Sequence, residues 1–547
     1  MGNKAAYDLW WKNAVIYCLD VELFADGNGD GCGDFPGLTG KVDYLAGLGV
    51  TCIWLMPFYP TPNKDNGYDI SDFYGVDPRL GTLGDLVEFL RAARERGIRV
   101  IADLVVNHTS DQHPWFQSAR ADERSPWRDF YVWADEQPEG PPGVVFPDAE
   151  DSNWDYDEVA GKWFLHRFYS HMPDLNIANP RVRDEISKVV GYWLELGLSG
   201  FRVDAAPFVI EQAGTEPRPG EEDPHDFLVS LRAFLNRRRG DAILLAEANE
   251  PPEKQRRFFG DEGGDEMHML FNFVLNQHLF LALVRQDPAP IVAALEGLPP
   301  VPQTNQWANF VKNHDELTLD KLTDDEREEV FAALAPDPDM RSFGRGIRRR
   351  VPTMLEGDRD RMELLYSLLF TLPGSPVLLY GEEIGLGDDQ RVEGRAAVRV
   401  AMQWTPGPKA GFTTGDPDVP LVTDGPFGPE KVNVATERRD PESLLNWMER
   451  AIRARKELPE LGWGAWRVLD TDQPAVLAHR CDWQGRGVLV LHNLGPEPVK
   501  VGVELGDDVE AGHPMAELLG NRHQEPATTG RPIALDGFGY RWLRLPG

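Results

Sequence analysis

A chain of 547 residues is too long for one small domain; length alone allows roughly three to four units, or fewer if one is a barrel of about 250 residues. With 56 basic against 89 acidic residues the net charge is −33, a field that repels polyanions and excludes nucleic acid as an expected partner. The four cysteines, Cys18, Cys32, Cys52 and Cys481, follow no C-x-x-C spacing and imply no disulfide framework. The first residues lack a basic segment followed by an apolar one, and no run of about 18 apolar residues occurs, so a soluble, cytosolic protein without membrane attachment is expected.

In chain order, β-branched and apolar runs mark eight strand candidates: 15–24, 51–56, 99–107, 200–207, 242–248, 269–273, 307–315 and 375–381. Amphipathic stretches at 83–97, 181–197 and 226–239 lie between them, the second introduced by Asn179-Pro180, a cap residue followed by proline at the first helical position. Strand–helix alternation means a parallel sheet, and eight strands close a TIM (β/α)8 barrel. Residues 109–173, rich in Trp, Pro, Gly and acids, read as a subdomain inserted after the third strand. A second long connection, 319–358, carries Arg348-Arg349-Arg350, expected to be a solvated or carboxylate-paired face. Beyond a helix at 443–458, short strands at 475–479, 487–491, 499–503 and 541–545 predict a C-terminal antiparallel β-sandwich. The expected division is therefore barrel at 1–108, inserted subdomain B at 109–173, barrel again at 174–460, and C-terminal domain at 461–547.

Three strand candidates end in a carboxylate: Asp204 after Gly200-Phe201-Arg202-Val203, Glu247 after Leu245-Ala246, and Asp315 after Lys312-Asn313-His314. In a barrel the C-terminal strand ends meet in one pocket, so acids far apart in sequence converge there. Paired acids of this kind suit glycoside cleavage with retention, which needs one ionised carboxylate to attack and one protonated carboxyl to donate, about 5 to 5.5 Å apart. Arg202, two residues before Asp204 and on the same strand face, is expected to keep Asp204 ionised, while the apolar neighbours of Glu247 raise its pKa toward a proton donor's.

The order and wording of these segments resemble glycoside hydrolase family 13, the α-amylase family, over essentially the whole chain. Asp103-Leu104-Val105-Val106-Asn107-His108 resembles its first conserved region, and Gly200–Asp204, Glu247 and Asn313-His314-Asp315 resemble the second, third and fourth. The resemblance implies that Asp204 is the nucleophile, Glu247 the general acid/base and Asp315 the acid that binds sugar hydroxyls. It also implies Asp103, Arg202, His108 and His314 as further substrate-binding residues, the two histidines donating to the sugar. Asp65-Asn66-Gly67-Tyr68-Asp69 resembles the segment that closes the non-reducing side of the pocket in the family's α-glucosidases and transferases, with Asp65 on hydroxyls and Tyr68 stacked on the ring. Residues 394–404 resemble the same enzymes' arginine segment, usually Asp-Arg-Asp-Gly-Val-Arg-Thr-Pro-Met-Gln-Trp. Arg395 and Arg399 remain, the flanking acids, Thr and Pro are replaced, and Arg399 is expected to pair with Asp65.

Asp26-Gly27-Asn28-Gly29-Asp30-Gly31-Cys32-Gly33-Asp34 alternates oxygen ligands with turn glycines, as a calcium loop does, although its twelfth residue, Gly37, is not the Glu of an EF-hand. By resemblance, the side chains of Asp26, Asn28, Asp30 and Asp34 and the Cys32 carbonyl hold one structural calcium ion. A second site is implied on Asn107, Asp174 and Glu211 with the carbonyls of Phe208 and Val209. No organic cofactor is expected. The resemblance is nearest to the branch that interconverts maltose and trehalose through a covalent β-glucosyl–Asp204 intermediate, with hydrolysis as a side path. An α-glucosidase acting on malto-oligosaccharides or trehalose is the alternative, and a non-catalytic partner protein on this fold the reading from another class. Either enzyme takes a small sugar as its partner, and a homo-oligomer is compatible with the sequence.

Overall fold

The structure is a computed structural model that describes residues 9–138, 144–146, 149–210, 223, 225–261, 263–506, 508–521 and 525–546. Eight short, wholly apolar or nearly apolar segments pair in parallel and close a barrel: β1 (Ile16–Leu19), β2 (Cys52–Leu55), β3 (Arg99–Leu104), β4 (Gly200–Val203), β5 (Ile243–Ala246), β6 (Met269–Phe271), β7 (Gln306–Phe310) and β8 (Ser375–Leu379). Closure runs through β8 against β1, with Val377 opposite Ile16. Seven predicted strands contain one of these and the seventh in order, 307–315, overlaps Gln306–Phe310; their near-continuous burial is what strands covered on both faces require.

Two differences from the sequence reading follow from local chemistry. Residues Val21–Phe24 form a helical turn, because the Asp20 side chain accepts from the Glu22 N–H and caps it. The third, fourth, fifth and seventh candidates leave the ladder before Asn107, Asp204, Glu247 and Asp315, and those freed ends carry the site. The surrounding helices start where their caps are: Leu83–Glu95 behind a Thr82–Asp85 capping box, and Pro180–Leu196 behind Asn179, ending at Gly197, whose φ of 123° suits glycine.

The first insertion contains a three-stranded antiparallel sheet of Trp133–Ala134, Lys162–Leu165 and Trp154–Asp157, tied to the barrel by isolated bridges His108–Asp174 and Tyr131–Leu175. The second adds a hairpin, Arg341–Ser342 with Gly346–Ile347, to Leu317–Thr318, the segment that directly follows Asp315 and Glu316. After the helix Leu444–Lys456 the chain forms a five-stranded antiparallel sheet, Ala465–Leu469, Val476–Trp483, Arg486–Asn493, Tyr540–Arg544 and Ala516–Gly520, with a two-stranded sheet of Val499–Val501 and Ile533–Leu535. The sequence reading had no strand at Ala465–Leu469, whose burial does not alternate cleanly, nor at Ala516–Gly520 or Ile533–Leu535. Among the described residues no helix is long and apolar enough to cross a membrane, and all four cysteines are buried and free.

Candidate active site

At the C-terminal strand ends lies a cavity of about 470 Å³, within the range that holds a small molecule. Asp204, Glu247, Asp315, Asp65, Tyr68, His108 and Arg395 all line it, so the residues read from scattered motifs do meet. The nucleophile candidate sits after the last residue of β4, and the following residue, Ala205, has φ 46°, a left-handed backbone unusual for a residue with a Cβ. That turn aims the Ala205 N–H at Glu247 Oε2, 3.4 Å away, and so ties the two strand ends together.

Beneath the cavity floor Arg202, 1% exposed, donates to three carboxylates: one terminal nitrogen to Asp103 Oδ1 and Asp204 Oδ1, the other to Glu247 Oε2, each at 2.5 Å. Arg202 meets Asp204 as its place on the strand suggested, and it also supports Glu247, the other acid of the pair. Burial is the largest influence on each carboxyl, pushing Asp204 up to about 6 and Glu247 to about 7, with Arg202 pulling both down. Burial thus brings both acids of the pair toward the range in which one can donate a proton while the other attacks. Asp315 behaves oppositely. Burial alone would raise it, but Arg395, His314, Arg399 and Arg202 outweigh burial and hold it well below the carboxylate range.

Asp103, Arg202, His314 and Arg399 stand behind the wall rather than in it. Asp103, fully buried, has Oδ1 on Arg202 and Oδ2 on the Trp54 indole and the Tyr68 hydroxyl, so its oxygens position neighbours instead of meeting sugar. His314 Nε2 lies 2.7 Å from the Tyr68 hydroxyl and 3.2 Å from Asp315 Oδ2. His108 Nε2 lies 3.1 Å from the Tyr68 carbonyl and its Nδ1 3.4 Å from the Asn107 amide; burial lowers its pKa to about 4, so the ring is neutral. His108 thus has both ring nitrogens engaged with protein, whereas His314 Nδ1 is buried without a hydrogen-bond partner. Tyr68 stacks on the His314 ring at 5.5 Å and 10° while still lining the cavity.

The arginine pairing also differs. Arg395, not Arg399, holds Asp65, at 2.7 and 2.9 Å, and it reaches Asp315 Oδ1 at 2.9 Å. Arg399 instead donates to Asp315 Oδ1 at 2.7 Å and to the His314 carbonyl at 3.0 Å. Arg395 lies at the start of one 3-10 turn, Gly394–Val398, and Arg399 just past its end, and sequence spacing cannot say which faces Asp65. The triplet Arg348-Arg349-Arg350 is not a solvated face. Arg348 donates to the carbonyls of Gln390, Val392 and Gly394, and Arg350, 1% exposed, to those of Val398 and Tyr380. These arginines cradle the backbone that presents Arg395 and Arg399.

Sequence reasoning missed Asn249, Glu316, Phe146 and Arg345, all in the cavity wall. Asn249 Oδ1 and Glu316 Oε2 are buried without a protein partner, open to a hydroxyl donor. The signal for Asn249 was its place two residues after Glu247; for the others none was visible.

Among the described residues no three His, Cys, Asp or Glu side chains converge as a metal cluster. In the first calcium loop Asp34 Oδ2 is buried with no partner, the one observation there that leaves room for a cation, while Asp26, Asn28 and Asp30 oxygens accept from the same loop's N–H groups. The second set does not fit. Asp174 has Oδ2 on Arg167 at 3.2 Å and Oδ1 on the Asn107 amide and the Arg167 N–H; Phe208 and Val209 lie in the helix Ala206–Ile210, and Glu211 lies outside the described residues.

A closed parallel barrel whose strand ends bring three carboxylates into one cavity over a buried arginine defines a glycoside-processing enzyme, and the chain belongs to the α-amylase family: the profile described as alpha amylase, catalytic domain matches residues 20–335 and 347–464. A second profile, sucrose hydrolase-like, C-terminal domain, matches residues 485–544. The chain is 43% identical to the trehalose synthase/amylase TreS of Mycolicibacterium smegmatis, over 98% of this chain and 92% of that one. It is 45% identical to the trehalose synthase of Thermus thermophilus over 89% of this chain and 50% of that one. The crystal structure of the trehalulose synthase of Pseudomonas mesoacidophila superposes with a TM-score of 0.77 at 26% identity, covering 98% of this chain and 99% of that one.

Proposed function

We propose that the protein interconverts maltose and trehalose by a double displacement with retention, and hydrolyses part of its substrate on the same path. The observation that carries the reading is the pair Asp204 and Glu247, bridged by buried Arg202 at the floor of a cavity sized for a short sugar. Identity above 40% to an enzyme named trehalose synthase over almost the whole chain supports the substrate.

Glu247 gives its proton to the glycosidic oxygen as Asp204 attacks the anomeric carbon, forming a β-glucosyl ester and free glucose. Asp65 and Asp315, fixed by Arg395, accept hydroxyls of the bound glucosyl ring and fasten it. Glu247, now ionised, takes the proton from the anomeric hydroxyl of the turned glucose, and that oxygen attacks the glucosyl carbon from the face opposite Asp204 as the ester bond to Asp204 breaks. The product is trehalose. Water in place of glucose gives hydrolysis, so the retained glucose decides the outcome.

We place one structural calcium ion on the Asp26–Asp34 loop, held by Asp26, Asn28, Asp30, Asp34 and the Cys32 carbonyl; when bound it supplies fixed charge far from the reacting atoms, and no step uses it. Four buried free thiols suit a reducing, cytoplasmic setting. The test is product analysis of purified protein given maltose, and separately trehalose. Each disaccharide appearing from the other supports the reading. Glucose alone from both leaves an α-glucosidase.

A further inference from the structure

Asp65 and Tyr68, both in the cavity wall, are the first and last residues of a four-residue turn. The Tyr68 N–H donates to the Asp65 carbonyl at 3.0 Å, and the two residues between them, Asn66 and Gly67, have φ of 49° and 89°. Positive φ at both central positions makes the mirror-image turn that Asn-Gly favours, and it sets the two flanking residues side by side.

The flanks of the turn are knitted from within: fully buried Asp69 accepts from the Lys64 N–H at 3.0 Å and from the Asp65 N–H at 3.2 Å. Its tip is held from outside. The Asn66 amide donates to Asp20 Oδ2 at 2.7 Å, and Asp20, the first residue after β1 and 4% exposed, uses Oδ1 to cap Val21–Phe24. Alongside, the Asn63 amide reaches Glu22 Oε2 at 3.5 Å, and Arg79 donates to Glu22 Oε1 at 3.0 Å.

Asp20 thus joins the end of the first barrel strand to the turn, and neither it nor Asn66 lines the cavity. Burial pushes its pKa up, against the pull of the Asn66 amide, the Glu22 N–H, Arg399 and Arg79. Capping alone does not need the charge, since asparagine caps a helix as well as aspartate does. What the charge adds is a shorter, stronger bond to the Asn66 amide, and so a fixed depth for the turn. Depth matters because Asp65 meets Arg395 at 2.7 and 2.9 Å and the Tyr68 hydroxyl meets His314 at 2.7 Å. A shift of about 1 Å at the turn would spoil both contacts.

We propose that Asp20 is a positioning residue that, through Asn66, holds the Asp65–Tyr68 turn at the depth where the Asp65 carboxylate and the Tyr68 ring meet the glucosyl ring. The inference rests on the reading above that Asp65 accepts glucosyl hydroxyls. Asp20 acts on the ring that is transferred and not on the acceptor, so it governs formation of the glucosyl ester and leaves the choice between glucose and water alone.

The experiment compares wild type, Asn66→Gly, Asn66→Asp, the exchange Asp20→Asn/Asn66→Asp, and Asp65→Asn on maltose. Asn66→Gly keeps a residue at ease with positive φ and deletes the amide, whereas Asn66→Asp sets two carboxylates against each other. The exchange restores a carboxylate–amide pair in the opposite sense and keeps a capping side chain after β1. Expected is a fall in kcat/KM of about tenfold for Asn66→Gly and a larger one for Asn66→Asp, with a raised KM, which does not depend on how much enzyme is folded. The exchange recovers most of what Asn66→Asp loses, an outcome that general loosening of the fold does not produce. The trehalose-to-glucose ratio stays within about twofold of wild type in all three. Wild-type kcat/KM in both Asn66→Gly and Asn66→Asp, no recovery in the exchange, or a ratio that falls in step with kcat/KM overturns the positioning role, and a loss in Asp65→Asn then leaves the reading of the site in place. Wild-type kcat/KM in Asp65→Asn overturns that reading, and the positioning role with it.

Discussion

The floor of the cavity and its mouth are built from opposite materials. On the floor, carboxylates at the ends of four barrel strands share arginines that are almost wholly buried, and each acid is fixed by partners whose loss leaves a charge stranded. At the mouth, the contacts between the two insertions include an arginine-to-carbonyl bond and a ring contact. Buried charge below and backbone and ring contacts above are different materials: the floor holds the groups placed to break a glycosidic bond, and the mouth holds none of them.

The sharpest way to break the comparison is at the floor. Asp204→Asn removes the attacking oxygen and Glu247→Gln the transferable proton, and each is expected to cost several powers of ten in turnover with the melting temperature near that of wild type. Retention of more than about a tenth of the rate by Asp204→Asn would end its assignment as nucleophile, since no covalent intermediate could then lie on the path.

A step up from the floor, Arg395→Gln leaves Asp65 and Asp315 without their shared partner. With charged hydrogen bonds worth about 1.5 to 3 kcal/mol each, kcat/KM for maltose should fall by about a hundredfold or more. Arg399→Gln removes one bond to Asp315 and none to Asp65, so a smaller loss is expected. Equal losses in the two variants would contradict the pairing seen here.

The pH profile sharpens the floor's electrostatics. Asp204 must be ionised, so activity rises with pH through about 6; Glu247 must be protonated, so it falls again through about 7. The expected kcat/KM profile is a narrow bell centred between these values. A profile flat from about pH 5 to 9 would show that burial does not set the two acids apart in this way.

What the sequence revealed divides along the same line. Barrel strands are legible because burial on both faces demands continuous apolar runs, as in Ile243–Ala246, and strand-end acids are legible because those runs stop at them. Arg395 and Arg399 were legible as a pair, yet their partners were exchanged, because two residues at the two ends of one 3-10 turn differ only in direction, which tertiary packing decides. Arg348 and Arg350 looked like a solvated charge run. Their partners are backbone carbonyls some 40 residues on, and carbonyls have no sequence signal. The mouth was illegible for a related reason: hairpin strands of two residues carry no period, and a ring contact between Phe146 and Phe343 joins segments that nothing in the sequence brings together.

The smallest effect concerns a region that is neither floor nor mouth. The Asp26–Asp34 loop abuts the segment running on from the active-site arginines: Thr413 donates to the Asp26 carboxylate, the Asp26 N–H to the Phe412 carbonyl, and the Met402 N–H to the Leu23 carbonyl. A cation bound there stabilises the folded state by RT ln(1 + [L]/Kd), about 2.7 kcal/mol at a hundredfold excess over Kd. Chelation should therefore lower the melting temperature by a few degrees, while activity measured well below the transition stays near its starting value because no reacting group lies in the loop. Asp34→Asn, which removes the charge behind the partnerless oxygen, should lower the melting temperature in calcium and abolish the shift on chelation. Removing the ion with no change in melting temperature, and metal analysis finding none bound, would dismiss calcium from the loop. An immediate loss of activity at low temperature would instead show that the loop holds the arginine segment in place, and the separation between a chemical floor and a structural periphery would have to be redrawn.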